Sequence, residues 1–223
     1  MNRKLVILGG GESGAGAAVL GRLKGYDVFV SDAGSIKDIY KKELADHDVP
    51  FEEGHHTEEK ILDADEVMKS PGIPHNNEMV QKIIAKGIPV ISEIEFAYRY
   101  KGNSRIIGIT GSNGKTTTTS LIYHICKEGG LDCALVGNIG NSFARQVALA
   151  PAEWYVAEIS SFQLDDIKEF RPDIAILTNI TEDHLDRYDY KFENYIKSKF
   201  SISKNQQAND FFIYCADDPV TMK

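Results

Sequence analysis

Seven consecutive residues, Thr110-Gly-Ser-Asn-Gly-Lys-Thr116, carry the clearest chemistry in the sequence. A glycine loop that ends in Lys-Thr at a helix start turns backbone N–H groups inward as an anion nest. Lys115 adds a mobile charge for β- and γ-phosphates, and the Thr116 hydroxyl adds a ligand for Mg²⁺. Gly111, Ser112, Asn113, Gly114, Lys115, Thr116 and Thr117 are therefore the candidate nucleotide-phosphate residues. The glycine spacing is one residue longer than the usual GxxxxGK[ST], because position 109 is Ile and the upstream glycine is Gly108.

A second glycine pattern, Gly9-x-Gly11-x-x-Gly14, follows the apolar run 5–8. Glycines there permit a tight turn, close approach to a phosphate and close helix–strand packing, and the helix N-terminus then faces the anion. Asp32 ends the next apolar run, where an acidic group meets a ribose or base. Ser70-Pro71-Gly72-Ile73-Pro74 follows the fourth strand, where it reads equally as a ligand edge or as a rigid Pro/Gly turn. Glu12 lies inside the first glycine loop and is an unfavourable neighbour for a diphosphate. Glu158 lies at the end of the apolar run 154–159, the position of a metal-binding carboxylate in P-loop proteins; the alternative is a solvent-facing strand end. Residues 179–186 gather acidic groups around His184, which reads as a metal ligand or as a structural hydrogen-bonder. Lys199 lies in an amphipathic stretch, and nothing in its spacing separates it from Lys191, Lys197 or Lys204.

These residues need strands and helices to hold them. Strands are expected over 5–8, 28–31, 49–52, 66–69 and 89–91, with helices over 14–24, 36–46, 58–62 and 77–86. A second series has strands over 105–110, 133–136, 154–159, 174–178 and 211–214, with helices over 115–128 and 192–204. Strands alternating with helices form βαβ units on parallel sheets. The expected fold class is α/β: a Rossmann-like parallel-sheet domain over 1–92, a short helix and linker over 93–103, and a P-loop ATPase-type α/β domain over 104–223. The stretch 217–222 reads as the opening of a helix, so the second domain is expected to be truncated.

Composition narrows the partners. The net charge of −8 leaves no basic surplus to neutralise a nucleic-acid backbone, though local basic residues can hold a small anion. Hydrophobic residues at 42% and charged residues at 26% are ordinary for a globular protein. Cys126, Cys133 and Cys215 are odd in number and lack CxxC spacing, which argues against a disulfide framework or structural zinc and for a reducing, cytoplasmic location. The basic start of 1–8 stops at Gly9, too short for a signal peptide. No stretch approaches the ~18 apolar residues of a membrane span, so no membrane partner is expected.

In combination, TGSNGKTTT (110–118), VGNIG (136–140), EISSFQLD (158–165), NITEDHLDRY (179–188), SPGIP (70–74), SEIEF (92–96) and YIKSK (195–199) resemble the motifs of the Mur ligase family. Members of that family add amino acids to the peptide of the cell-wall precursor, and their P-loop has the altered glycine spacing. The resemblance covers the whole chain and is closest to the branch that adds D-glutamate. It implies ATP with Mg²⁺ at two sites, UDP-N-acetylmuramoyl-L-alanine and D-glutamate as partners, an acyl-phosphate intermediate, and a monomer when full-length. It places Gly11, Ser13, Asp32, Ser70, Gly72, Asn138 and Ser160 at UDP-substrate positions. It gives Thr116 and Glu158 one metal and His184 a second, with Lys199 as a carbamylated ligand; Lys115, His184 and Lys199 are the catalytic set. Ala33 and Gly34 stand where some relatives carry Thr-Arg, so fewer uracil contacts are expected. The family's third domain, which binds the incoming amino acid, would lie beyond Lys223, so residues 1–223 alone are expected to be inactive. The competing readings are another Mur-type ligase with a different amino acid, a P-loop phosphotransferase, and an NAD-dependent oxidoreductase. The oxidoreductase leaves the P-loop and the His184 cluster unexplained.

Overall fold

Short apolar runs alternate with helices along the chain in the order β1 (Lys4–Leu8), α1 (Glu12–Leu23), β2 (Asp27–Asp32), α2 (Asp38–Asp46), β3 (Phe51–Glu53), α3 (Glu58–Leu62), β4 (Glu66–Lys69), α4 (Glu78–Ala85), β5 (Val90–Ile91) and α5 (Glu93–Tyr98). There follow β6 (Arg105–Thr110), α6 (Lys115–Glu128), β7 (Cys133–Gly137), α7 (Phe143–Leu149), β8 (Trp154–Glu158), α8 (Ser161–Leu164), β9 (Ile174–Leu177), α9 (Phe192–Phe200) and β10 (Phe211–Tyr214). The structure is a computed structural model that describes residues 2–222. The outermost domain bounds, 1 and 223, lie outside the described residues. Two units emerge, Met1–Tyr100 with Ser142–Ala150, and Lys101–Asn141 with Pro151–Lys223. Among the described residues no helix is long and apolar enough to cross a membrane.

The first unit is built on a parallel sheet of order β3-β2-β1-β4-β5. Because parallel neighbours need crossovers, helices cover both faces. The chain leaves β1 toward β2 and later returns on its other side with β4. The carboxyl end of β1 is thus a topological switch point, where ligands of such sheets sit. One face packs Val6, Leu8 and Val67 against Ile61, Val80, Ile83 and Ile88. On the other, α1 is buried from Gly14 to Gly21 and packs against α2, α5 and α7. Its Gly- and Ala-rich sequence allows that crowding. At Gly14 the fit is closest, since a Cβ there would lie 1.8 Å from the Gly9 carbonyl oxygen. Gly14→Ala is expected to force the β1–α1 turn open at a cost of about 3 kcal/mol, as overpacking does. A urea-unfolding midpoint equal to that of the parent chain would show that the turn has room.

Two expectations for this unit are revised. The stretch 93–103, read as a short helix and linker, begins with α5, whose Ile94, Phe96 and Ala97 are fully buried. The segment 142–150, expected with the second domain, belongs to the first unit. Its partners explain why: the buried Glu93 carboxylate accepts from the Ser142 hydroxyl (2.7 Å) and the Ala144 amide (2.6 Å). Arg145 grips Glu43 through two nitrogens (2.6 and 2.7 Å) and also pairs with Glu12.

In the second unit the parallel order is β10-β9-β6-β8-β7. Ile107, Ile109 and Val156 pack with Cys126 of α6 and Cys133 of β7. A second cluster joins Leu177 and Ile180 to Tyr188 and Tyr195. The helix expected over 192–204 ends at Phe200 and passes into a 3₁₀ turn, Ser201–Ser203. Residues 217–222 form turns. Asp218 is bonded as the residue that opens a helix is: its carboxylate accepts from the amides of Ile180 (3.1 Å) and Val220 (3.3 Å) and from the Thr221 hydroxyl, and its carbonyl accepts from the Met222 amide (3.3 Å).

Candidate functional site

β6 delivers the glycine loop of residues 110–116 to the start of α6. Gly111 has φ +143°, and a Cβ there would lie 2.0 Å from the Thr178 hydroxyl. Gly114 caps α6 at φ 80°, so both positions exclude other residues. The segment after β9 holds the loop from the side. The Ser112 amide donates to the Asn179 carbonyl (2.9 Å), and the Ser112 hydroxyl donates to the Thr181 carbonyl (2.9 Å). The Asn113 amide donates to the Asn179 side chain (3.0 Å), and the Thr178 hydroxyl donates to the Asn113 carbonyl (2.7 Å). Lys115 arches back, its Nζ donating to the carbonyls of Gly111 (2.9 Å) and Ser112 (3.0 Å). Thr116 and Thr117 stand exposed in the first turn of α6.

Glu158 ends β8, the strand beside β6, and its side chain is buried. Its Oε1 accepts from the Asn138 side-chain amide (2.7 Å), while Oε2 is buried with no hydrogen-bond partner. A buried carboxylate oxygen left unsatisfied is costly and calls for an explanation such as a cation. Lys199 of α9 is also buried, at 2% exposure, and donates to the Thr110 hydroxyl at 3.3 Å. Thr110 in turn donates to the Ile159 carbonyl (2.7 Å). Burial pushes the Lys199 ammonium down to about 7, and the Lys115 charge pushes it the same way. The charges of Asp183, Asp165 and Glu158 oppose them. Lys191, Lys197 and Lys204 are exposed, so the structure makes the distinction that the spacing of the lysines does not.

His184 occupies a left-handed conformation (φ 50°), uncommon for a residue with a Cβ. Its half-exposed ring lies 3.5 Å from an Asp183 oxygen and 5.0 Å, centre to centre, from the Phe162 ring. Among the described residues no three His, Cys, Asp or Glu side chains converge as a metal cage. One orphaned carboxylate oxygen and a threonine hydroxyl, completed by phosphate oxygens and water, nevertheless suit Mg²⁺, which is rarely bound by an all-protein cage. Ser160 caps α8, sharing a capping box with Gln163, and its hydroxyl donates to the Gln163 side-chain amide oxygen Oε1 (3.0 Å).

In the first unit the glycine turn is tied to both neighbouring strands. The Asp32 carboxylate accepts from the amides of Gly10 (2.7 Å) and Gly34 (2.8 Å). The Ser70 hydroxyl donates to the Gly9 carbonyl (3.3 Å), and the Ser70 amide donates to Leu8 (2.9 Å). Gly11 and Ser13 flank the start of α1, with Gly11 exposed, and Gly72 lies exposed in the turn after β4. The structure thus gathers Gly11, Ser13, Asp32, Ser70 and Gly72 at the carboxyl edge of one sheet. Asn138 and Ser160 belong to the other unit, after β7 and β8. Glu12 is drawn aside by Arg145 and the Ser142 amide (2.9 Å), which removes the expected conflict with an anion. Asn179 and Thr181 belong to the motif at 179–188, but neither they nor Thr178 were expected to hold the glycine loop; the signal for that role is their place directly after a strand beside it.

The chain is similar to a family of known proteins. The Mur ligase middle domain matches residues 109–223, and the MurD N-terminal domain matches residues 4–79. The UDP-N-acetylmuramoylalanine–D-glutamate ligase of Christiangramia forsetii is 60% identical over 218 residues, which cover 98% of this chain and 49% of that protein. The ligase of the same name from Bacteroides fragilis is 58% identical with the same coverage. The chain therefore spans about half the length of these curated relatives. Among solved structures, the UDP-N-acetylmuramate:L-alanyl-γ-D-glutamyl-meso-diaminopimelate ligase of Neisseria meningitidis aligns with a TM-score of 0.66 at 18% identity, covering 100% of this chain and 74% of that one. The UDP-N-acetylmuramate–alanine ligase MurC of Thermotoga maritima aligns with a TM-score of 0.60 at 22% identity, covering 98% and 50%. At these identities the structural matches speak for the fold.

Proposed function

This chain belongs to the Mur ligase family, and from that premise we propose that it forms the nucleotide-sugar-binding and ATP-binding parts of a cytoplasmic ligase. That ligase joins D-glutamate to UDP-N-acetylmuramoyl-L-alanine. The observation that carries the reading is the buried, unpartnered Glu158 Oε2 one strand from the P-loop. The names of relatives at 58–60% identity support the choice of substrates.

In this reading Lys115 and the amides of residues 111–117 hold the ATP phosphates. Thr116 and Glu158 hold one Mg²⁺, and His184 holds a second. When bound, the metal neutralises charge on the phosphate oxygens. A carboxylate oxygen of the substrate's alanine attacks the γ-phosphorus and ADP leaves. The amine of D-glutamate then attacks the acyl phosphate and expels phosphate. The protein contributes positioning and fixed charge to both displacements. Lys199 takes up CO₂: its amine nitrogen bonds to carbon, a proton passes to solvent, and the carbamate presents oxygens suited to a hard cation. Its burial and its place beside Thr110 support that role, because a charged amine would compete with the metal. Gly11, Ser13, Asp32, Ser70 and Gly72 hold the UDP moiety, and Asn138 and Ser160 contact the remainder of the substrate.

UDP is expected to raise the melting temperature of the chain, and NAD is not. A ligand at 100 times its Kd adds about 2.7 kcal/mol. The complete reading frame that carries the chain is expected to yield the D-glutamyl product by mass spectrometry, given ATP and UDP-N-acetylmuramoyl-L-alanine. Stabilisation by NAD without stabilisation by UDP would sink the reading.

A further inference from the structure

A buried cluster at the edge of the first sheet has no part in the scheme above. Ser31 is fully buried, with its hydroxyl 2.7 Å from Glu52 Oε1 and 2.6 Å from His56 Nδ1. Glu52 also accepts from the Thr57 amide (2.7 Å) and the Thr57 hydroxyl (2.6 Å). Burial pushes the Glu52 carboxyl up, but the Thr57 and Ser31 bonds, with Lys60 nearby, outweigh it and hold it at about 2. Glu52 is therefore a carboxylate with no proton to give.

That settles the direction of both bonds to Ser31. Its single proton goes to Glu52, so toward His56 the serine oxygen is an acceptor and Nδ1 carries the hydrogen. A neutral imidazole protonated on Nδ1 has a lone pair on Nε2. His56 is partly exposed, and Nε2 is the ring nitrogen that Ser31 does not hold. In β2 and β3, Ser31 pairs with Glu52 and Asp32 with Glu53, and the Gly54 amide donates to the Gly34 carbonyl (2.9 Å). The loop carrying His56 thus leaves the same carboxyl edge as Asp32, two strands and about 10 Å from β1. A diphosphate at the start of α1 with its ribose near Asp32 puts the base there. Ala33 and Gly34 carry no side-chain donor or acceptor for it.

We infer that His56 presents its Nε2 lone pair to the N3–H of a bound uracil and so selects uridine over cytidine nucleotides. The inference rests on the UDP reading of the first unit and adds to it the residue that reads the base. Uracil N3 is a donor, whereas cytosine N3 is an acceptor and would face the histidine lone pair. A site built to bond a donor rejects an analogue that lacks it.

Calorimetry on the chain with UDP, CDP and inorganic pyrophosphate tests this. The parent chain is expected to prefer UDP over CDP by at least roughly tenfold, the value of one hydrogen bond. His56→Phe keeps the ring but lacks the acceptor; it is expected to weaken UDP to the level of CDP and leave pyrophosphate unchanged. Nitrogen-15 NMR of the unsubstituted chain is expected to show the proton on Nδ1, a readout that needs no variant. Equal UDP affinity in parent and variant, or a proton on Nε2, would overturn the role of His56 while leaving UDP binding in place. Failure of the parent chain to bind UDP would overturn the UDP reading and this inference together.

Discussion

Lys115→Ala is expected to weaken ATP binding by the chain by roughly 10- to 100-fold, the worth of a hydrogen bond to a charged group. In the complete reading frame it is expected to slow ligation by at least ~10²-fold, as loss of an electrostatic transition-state contact does. The folded state should tolerate the change. Lys115 is only half-buried, and the carbonyls it meets, Gly111 and Ser112, belong to a loop that Thr178, Asn179 and Thr181 hold independently. The melting temperature without nucleotide should therefore stay close to that of the parent chain. Calorimetry with ATP checks the first statement and a thermal scan the second. Parent-like ATP affinity in the variant would remove Lys115 from the site.

The P-loop was legible because its information is local: glycines, then Lys-Thr, between an apolar run and a helical stretch. What secures it was not. The groups that pin Ser112 and Asn113 come from residues about 65 positions later, and spacing alone does not report such partners. Glu158 was legible as a strand end, but its unsatisfied oxygen emerges only when the packing around it is known. Glu12 shows the opposite case. It stands in the loop as the sequence says, yet a partner 133 residues away turns its charge aside.

The parallel sheets followed from the alternation of strands and helices, while the order of the strands within each sheet did not; most element limits lie within two residues of expectation. The largest difference, the placement of the segment 142–150, comes from a side chain, Glu93, that overrides local pattern. Read locally it is a polar residue at a domain boundary, but its buried carboxylate caps α7 and joins that helix to the first unit. Burial raises its pKa, the mark of a carboxyl whose hydrogen bonds only partly offset its loss of water.

The same cost, on a cation, underlies the expected behaviour of Lys199→Met: the ligand-free chain should become more stable, not less. Lys199 has 2% of its surface exposed; its ammonium donates to the Thr110 hydroxyl at 3.3 Å and lies 5.3 Å from the centre of the Tyr195 ring. Its pKa falls from 10.5 unfolded to about 7 in the native state. Between those values the unfolded chain binds the extra proton, so stability rises with pH across that window; below about pH 7 the full cost is present. Near pH 7 that cost is on the order of 4 kcal/mol. Methionine fills a similar volume with no charge to desolvate. The variant should therefore melt several degrees higher at pH 7, and the difference should shrink as pH approaches 10. Both scans use the same buffers, so other groups titrating at high pH cancel in the difference. A variant less stable than the parent at pH 7 would mean that the ammonium is paired or solvated in a way that this burial does not reveal. A residue that costs stability in the empty chain is retained for what it does when the site is filled. An amine that is already half neutral near pH 7 is also the form that reacts with CO₂, so one buried position accounts for both the instability and the proposed carbamate.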